Sequence, residues 1–184
     1  MKMSTRQIAI AGVLSAISIF LGVTRLGFIP FFAGASITIM HIPVILGAIL
    51  EGPLVGTIIG AIFGIFSLVQ AAIAPTGVVD PAFQDPLVSV LPRLFIGVVT
   101  WAVYRAVRPV NELLALALAA AAGTLTNTVL VLGMLALRQY YAPAILWTVG
   151  ITNAPFEVAA AIIITIAVIT AWKRIEFGRK GADL

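Results

Sequence analysis

Long apolar segments, separated by short polar or proline-rich stretches, dominate the pattern of this chain. Six such segments run through residues 7–23, 36–50, 53–73, 87–107, 111–136 and 145–172. A helix needs about 20 apolar residues to cross the hydrocarbon layer, and fewer where packing accommodates a short helix. The pattern therefore predicts an all-α membrane protein, a compact bundle of six transmembrane helices. The second segment is short, and Pro43 near its start is expected to bend or delay that helix.

The composition supports a membrane protein. Of the 184 residues, 61% are hydrophobic and 10% are charged, and the mean hydropathy is +1.16. Soluble domains carry about 25% charged residues, so this composition excludes a soluble globular domain. The length suits a single domain over residues 1–184. The chain has no cysteine, which excludes disulfides, thiolate metal sites and cysteine catalysis.

The basic residues predict an orientation. If the N-terminus is cytoplasmic, eight Lys and Arg residues fall inside: Lys2, Arg6, Arg105, Arg108, Lys173, Arg174, Arg179 and Lys180. Three lie toward the outside: Arg25, Arg93 and Arg138. This asymmetry follows the positive-inside rule and predicts that both termini are cytoplasmic. The net charge of +4 is therefore assigned to topology and not to a nucleic-acid partner. The first segment has the basic start of a signal peptide, but five further segments favour a retained helix.

Two of the predicted external connections are unusual. Residues 24–35 contain Gly, Pro and three Phe, and residues 70–86 contain Pro75, Pro81 and Pro86 with two aspartates. A long, proline-braced and partly apolar loop over a bundle is expected to act as a lid over a binding site. A simple connector is the alternative.

Five polar residues within the apolar segments are candidate site residues: His41, Arg93, Asn127, Asn153 and Glu157. Ionisable groups at the bilayer centre cost about 2.5–3.5 kcal/mol on insertion scales, so they usually face a cavity or a partner. Asn153 lies one helical turn before Glu157 on the same helix face. In the predicted orientation most of these residues lie in the outer half of the membrane. We therefore expect them to line an outward-opening pocket.

Each of these residues also has a structural interpretation. Arg93 would snorkel to the outer headgroups, or pair with Glu157. His41 would hydrogen-bond main-chain groups left free by Pro43, and Asn127 would join two helices. Trp101 and Trp147 are typical of interfacial anchors.

Motifs for catalysis are absent from the sequence. The chain has one His, no GxSxG nucleophile motif, no HExxH zinc motif and no GxxxxGK[ST] phosphate loop. The sequence therefore predicts a non-enzyme with no cofactor and no metal. If the chain drives uphill transport of a solute, the energy comes from a partner or an ion gradient.

Glycines recur at every fourth position from Gly52 to Gly64, through Gly56 and Gly60. Each glycine costs roughly 1 kcal/mol relative to alanine in an ordinary helix interior. In a membrane, small residues at this spacing allow a second helix to approach to main-chain contact. The pattern predicts either an external docking face or close packing within the bundle.

The run of residues 38–48, TIMHIPVILGA, followed by Glu51-Gly52-Pro53 and the pair Asn153 and Glu157, resembles a known family. It is similar to the substrate-binding S components of energy-coupling factor (ECF) transporters, the bacterial vitamin importers. The resemblance covers nearly the whole chain. It implies a vitamin pocket near the outer surface of a bacterial cell membrane, closed by the loops after helices 1 and 3.

The resemblance also implies partners. Small-residue faces of helices 1 and 3 would dock onto a transmembrane coupling subunit, which is joined to two ATPases. The counterparts of the family's AxxxA motif are the pairs Ala11 with Ser15 and Gly12 with Ala16. On helix 3 the docking face would be Gly56, Gly60 and Gly64.

The HIPVILGAI sequence looks most like pantothenate-type members, while related ones handle riboflavin, folate, cobalamin or pyridoxine. Arg93 would then bind the pantothenate carboxylate through a charge-assisted fork, and Asn127, Asn153 and Glu157 would take the amide and hydroxyl groups. One alternative is an ion-coupled secondary transporter with Glu157 and His41 as a proton relay. A small membrane enzyme or an assembly factor is another.

Overall fold

A computed structural model describes residues 3–30, 36–75 and 80–182 of the chain. A 3₁₀ turn at Asp80–Gln84 precedes the second half of the helices. In chain order the other elements are α1 (Thr5–Val23), β1 (Phe28–Pro30), β2 (Ser36–Thr38), α2 (Ile42–Glu51), α3 (Pro53–Ile73), α4 (Pro86–Ser89), α5 (Leu91–Val107), α6 (Glu112–Leu137) and α7 (Pro143–Ala182).

Five helical segments of the described chain are long and apolar enough to cross a membrane. They are Thr5–Val23, Pro53–Ile73, Pro86–Val107, Glu112–Leu137 and Pro143–Arg174. These correspond to predicted segments 1, 3, 4, 5 and 6, so the multi-pass helical architecture is confirmed. The last helix is longer than predicted, because α7 continues to Ala182. Large apolar side chains such as Ile8, Phe20, Ile73 and Leu113 are exposed around the bundle, as expected for a surface in contact with lipid.

The second predicted transmembrane segment, residues 36–50, is too short to cross the membrane and is only partly helical. Helix α2 has ten residues, which gives a length of about 15 Å and only half the hydrocarbon thickness. Every residue from Ile42 to Ile49 is buried, so α2 is a core helix surrounded by the other helices. The prediction failed because an apolar run of this kind does not distinguish a span from a buried core helix.

The described fold is helical apart from one short hairpin, and residues 36–38, which were predicted to begin the second helix, form its second strand. Strands β1 and β2 pair antiparallel, with Phe28 opposite Thr38. The turn after α1 prepares this hairpin, because Arg25 adopts a positive φ of 60° and the Gly27 amide donates to the Leu21 carbonyl at 2.8 Å. The predicted lid at 24–35 therefore contains a strand, and its residues 31–35 lie outside the described residues.

The α3 glycines pack against α4 and α5, and the prediction that Gly56, Gly60 and Gly64 form an external docking face is wrong. A Cβ atom built on Gly56 would lie 2.8 Å from the Gly97 Cα atom, and one on Gly64 would lie 2.8 Å from the Ser89 carbonyl oxygen. One on Gly60 would overlap the main-chain carbonyl of Arg93. The spacing serves close packing of helices within the chain.

The α1 candidates divide between the two sides of that helix. Ala11 and Ser15 are buried in the bundle, so their assignment to a docking face is wrong as well. Gly12 and Ala16 are exposed, and a Cβ atom on Gly12 would meet nothing within 4 Å. The open small-residue pair on α1 is thus Gly12 with Ala16.

Candidate functional site

The predicted site residues are all buried polar groups. Their exposed fractions are 0% for His41, 5% for Arg93, 5% for Asn127, 6% for Asn153 and 4% for Glu157. Burying polar groups without full hydrogen bonding costs several kcal/mol in an apolar environment. Glu157 and His41 form side-chain hydrogen bonds to other elements. Four buried atoms of these residues have no hydrogen-bond partner: His41 Nδ1, Arg93 Nε and the side-chain oxygens of Asn127 and Asn153.

Glu157 connects the hairpin to the two longest helices. Its Oε1 atom accepts a hydrogen bond from the Thr38 amide at 2.8 Å, at the end of β2. Its Oε2 atom accepts one from the Thr128 hydroxyl of α6 at 3.3 Å. The carboxylate therefore ties β2 and α6 to α7, and it fixes the position where the hairpin enters the bundle.

His41 is attached to the same region of α6. Its Nε2 atom lies 2.9 Å from the Thr124 hydroxyl. One turn further along, the Thr128 hydroxyl lies 3.2 Å from the Thr124 carbonyl and 3.3 Å from Glu157 Oε2, and its single proton serves one of the two at a time. His41 and Glu157 therefore contact threonines one turn apart on α6. The His41 Nδ1 atom has no hydrogen-bond partner. The interpretation in which His41 serves main-chain groups freed by Pro43 is not observed, because its bond is to a side chain of another helix.

Arg93 is a buried cation in the first turn of α5. Its Nη1 atom donates to the Val88 carbonyl at 2.5 Å, and its Nε atom has no partner. The guanidinium lies between two aromatic rings, 5.3 Å from the Phe63 centroid and 5.2 Å from the Phe83 centroid. Snorkelling is excluded by its burial, and no ion pair joins it to Glu157 among the described residues.

Asn127 and Asn153 lie on the facing sides of α6 and α7. Asn127 is one turn from Thr124 on the buried side of α6, and Asn153 is one turn before Glu157 on α7. The side-chain oxygen of each is buried without a hydrogen-bond partner. Buried polar atoms normally have partners, so these two acceptors are groups that a bound polar molecule would satisfy.

These groups gather toward one end of the bundle, which we call the hairpin end and which carries β1, β2, the Asp80–Gln84 turn and the end of α6. Phe83 of that turn covers Arg93, and the Thr38 amide of β2 meets Glu157. The second connection that was predicted to be a lid, residues 70–86, thus contributes Phe83 to the site, while Thr38 lies just after the first, residues 24–35. Residues 76–79 of the second connection lie outside the described residues.

An ion pair at the hairpin end joins the second connection to α6. The Asp85 carboxylate caps α4 by accepting from the Leu87 amide at 2.9 Å, and it accepts from Arg138 Nε at 2.7 Å. The Tyr140 hydroxyl lies 3.5 Å from the same carboxylate. The Leu87 amide and Arg138 hold the pKa of Asp85 below its usual value, while Asp85 raises the pKa of Arg138.

Comparison with known proteins places this architecture in a family. Residues 6–169 match the family described as the substrate-specific component of ECF transporters. The chain belongs to this family. It is similar to the pantothenic acid transporter PanT of Lactococcus lactis subsp. cremoris, with 32% identity over 73% of this chain and 76% of that protein. It is also similar to the pantothenate transporter PanT of Leuconostoc mesenteroides subsp. mesenteroides, with 30% identity over 78% of this chain and 79% of that protein.

Several residues that hold the site together were not predicted from the sequence. Thr124 contacts His41, Thr128 contacts Glu157, and the Thr38 amide supplies the shortest bond to that carboxylate. Phe63 and Phe83 enclose Arg93. A usable signal existed for the threonines, because they lie at helical spacing around Asn127 in the run TLTNT. The two Phe residues carry no signal in an apolar sequence.

Proposed function

We propose that the protein binds pantothenate at the hairpin end and carries it across the membrane. The observation that carries the proposal is the buried Arg93 guanidinium, whose Nε atom has no partner and whose charge no carboxylate neutralises among the described residues. Pantothenate carries a carboxylate, and a charge-assisted bond from Arg93 would compensate its buried charge. The names of the two relatives support the same ligand.

The rest of the site suits the remainder of such a molecule. Pantothenate has one amide and two hydroxyl groups in addition to its carboxylate. The unpaired side-chain oxygens of Asn127 and Asn153 would accept hydrogen bonds from these donors, and His41 Nδ1 offers a further polar contact. Phe63 and Phe83 would exclude water around the ion pair, and electrostatic attraction is stronger in such a low-dielectric setting.

We propose further that transport depends on an ECF coupling subunit and its two ATPases. The family membership supports this, as does the absence of an ATP-binding loop from the sequence. The exposed pair Gly12 and Ala16 on α1 is the small-residue surface available for such docking. Uptake that continues after the proton gradient is dissipated at constant ATP would support this coupling, and immediate loss of uptake would favour the ion-coupled alternative.

The binding proposal is tested with the purified chain in detergent and a panel of water-soluble vitamins. Thermal shift and isothermal titration calorimetry would be measured for pantothenate, riboflavin, folate, cobalamin and pyridoxine. We expect pantothenate to give the largest stabilisation, about 4 kcal/mol at a ligand concentration a thousandfold above the Kd. A folded sample that binds none of the panel would contradict the proposal. A hit on another vitamin would leave a transporter but reject pantothenate.

A further inference from the structure

A cavity lies at the end of the bundle opposite the candidate site. Its volume is about 520 Å³, and its lining comes from the end of α2, the start of α3 and the end of α5. Trp101, Tyr104, Arg105 and Arg108 form its α5 side. The volume is within the range of about 300–1,000 Å³ that is typical of small-molecule sites. None of the residues of the proposed vitamin site lines it.

Both arginines of this cavity lie over aromatic rings of α5, and they differ in their carboxylate partners. The Arg105 guanidinium lies 5.9 Å from the Trp101 ring centroid, and that of Arg108 lies 5.8 Å from the Tyr104 centroid. Within the described part of the chain, Arg105 has no carboxylate within salt-bridge distance. Stacking on an aromatic ring leaves the edge of a guanidinium free to donate to an anion.

The acidic groups nearby are already engaged by other cations. Glu51 lines the cavity and lies 2.6 Å from Arg6 Nε. Glu112 accepts from Lys173 at 2.5 Å, from the Tyr104 hydroxyl at 2.6 Å and from Arg108 at 3.2 Å. Because one carboxylate serves two cations and a phenol, positive charge is in excess around the cavity.

The main chain contributes partial charges of both signs, because α3 begins beside the cavity while α2 and α5 end there. Gly52, with a φ of 96°, lines the cavity and is the residue immediately before α3. The first amides of a helix have no intrahelical acceptor, and its N-terminus carries partial positive charge. A Cβ atom on Gly52 would lie 3.9 Å from the Trp101 indole nitrogen, so this potential donor also borders the opening.

We propose that this cavity binds the phosphate group of an anionic phospholipid. Guanidinium pairs and helix N-termini are suited to phosphate oxygens. The cavity lies where the span Pro86–Val107 ends and the next begins, which is the depth at which aromatic residues and lipid headgroups meet. Its apolar lining by Ile49, Leu50 and Pro109 suits the glycerol and upper acyl carbons of a lipid more than a freely soluble anion. Basic pockets between helices bind such headgroups in other membrane proteins.

The test is native mass spectrometry of the full chain, titrated with phosphatidylglycerol or phosphatidylcholine of identical acyl chains. We expect the first phosphatidylglycerol to bind more tightly, with roughly a fivefold contribution from each arginine. The variant Arg105→Gln/Arg108→Gln should lose this preference, and Arg105→Gln alone should lose part of it while the Arg108–Glu112 pair remains. Arg174→Gln is the matched control, because it removes one charge on α7 outside this cavity.

Three results would overturn the proposal. The first is equal binding of the two lipids to the unmodified chain. The second is an unchanged preference for phosphatidylglycerol in a folded Arg105→Gln/Arg108→Gln variant, with folding judged by its melting temperature. The third is displacement of phosphatidylglycerol by inorganic phosphate at similar concentration, which would indicate a site for a soluble anion.

Discussion

At the scale of single residues, the buried polar groups divide into those that hold the structure and those that remain available. Glu157 uses both carboxylate oxygens on groups of the chain itself, Thr38 and Thr128. Arg93, by contrast, has one hydrogen bond to a main-chain carbonyl and an Nε atom without a partner. Glu157 is therefore expected to position the site, and Arg93 to contact the ligand.

Replacing Glu157 should weaken binding by loosening the hairpin. In Glu157→Ala the Thr38 amide loses its acceptor while the Thr128 hydroxyl keeps only the Thr124 carbonyl, so we expect pantothenate affinity to fall at least tenfold, or about 1.4 kcal/mol. Leaving a buried donor unpaired should also cost about 1–3 kcal/mol of stability. Glu157→Gln keeps one acceptor oxygen and should lose less of both. Calorimetry and thermal unfolding measure the two effects, and unchanged affinity in Glu157→Ala would exclude this role.

The polar residues of the site could be predicted from the sequence, but their partners could not. Arg93 and Glu157 stand out because ionisable side chains are rare in apolar segments. Thr124 and Thr128 are marked only by their helical spacing around Asn127, because threonine is common in membrane helices and can hydrogen-bond to its own main chain. Whether Arg93 pairs with Glu157 was open in the sequence, since nothing there gives the distance between α5 and α7.

At the scale of elements, main-chain contact between α3 and α5 determines where Arg93 lies. The main-chain carbonyl of Arg93 lies directly against Gly60, and Gly56 meets Gly97 one turn further along. Glycine is required at these positions because a side chain would separate the helices. The same contact places Phe63 of α3 beside the Arg93 guanidinium.

Adding a methyl group at this contact should therefore damage the site. We expect Gly60→Ala to lower the free energy of unfolding by about 1–3 kcal/mol through overpacking, and to weaken pantothenate binding as Arg93 moves. Gly133→Ala is the matched control, because a Cβ atom there would meet nothing within 4 Å. Thermal unfolding and calorimetry would be compared for both. If the Gly60→Ala chain is stable and binds pantothenate normally but fails in uptake, Gly60 instead belongs to a surface that docks on a partner.

The ion pair between Asp85 and Arg138 should make the second connection sensitive to pH. The pKa of Asp85 is lowered in the folded chain by the Leu87 amide and Arg138, so its contribution is present at neutral pH. That contribution is lost as the pH falls through the lowered pKa. We expect the protection factors of the amides around residues 80–90, which correct for the intrinsic pH dependence of exchange, to fall in that acidic range. In Asp85→Asn, which cannot titrate, this fall should be absent, and an identical response in both chains would contradict this assignment.

Element boundaries were predictable where the chain marks them. Helix α3 begins at Pro53 and ends at Ile73 as the sequence indicates, because Gly52 and Pro53 mark its start and a proline-rich stretch follows it. The segment 36–50 was misread since hydropathy combined β2 and α2 into one apolar run. Strands of three residues are too short for a period to be recognised.

At the scale of the whole molecule, charge distinguishes the two ends of the bundle. The end with Arg6, Arg105, Arg108 and Lys173 is rich in cations, while the hairpin end exposes Arg25 and Arg138. The positive-inside rule predicts that the first end faces the cytoplasm and that the hairpin end faces outward. The proposed vitamin site would then open toward the exterior, and the proposed lipid site would meet the inner leaflet.

The absence of native cysteine allows a direct test of this orientation. Val110 is 81% exposed in the connection between α5 and α6, and Ala142 is exposed at the hairpin end. We expect Ala142→Cys to react with a membrane-impermeant maleimide on intact cells, and Val110→Cys to react only after the cells are opened. If only Val110→Cys is labelled in intact cells, the predicted orientation is wrong, and the two proposed sites face the opposite sides of the membrane.

The central claim is that the buried charge of Arg93 binds the ligand's carboxylate. The most direct measurement is calorimetry of pantothenate and its alcohol analogue, pantothenol, with the unmodified chain and with Arg93→Gln. The carboxylate preference is the ratio of the Kd of pantothenol to the Kd of pantothenate. This ratio should be large in the unmodified chain and should fall at least a hundredfold in the variant, equivalent to about 2.7 kcal/mol. Arg174→Gln should keep the full preference. If Arg93→Gln folds and prefers pantothenate as strongly as before, the carboxylate lies elsewhere and the account is wrong.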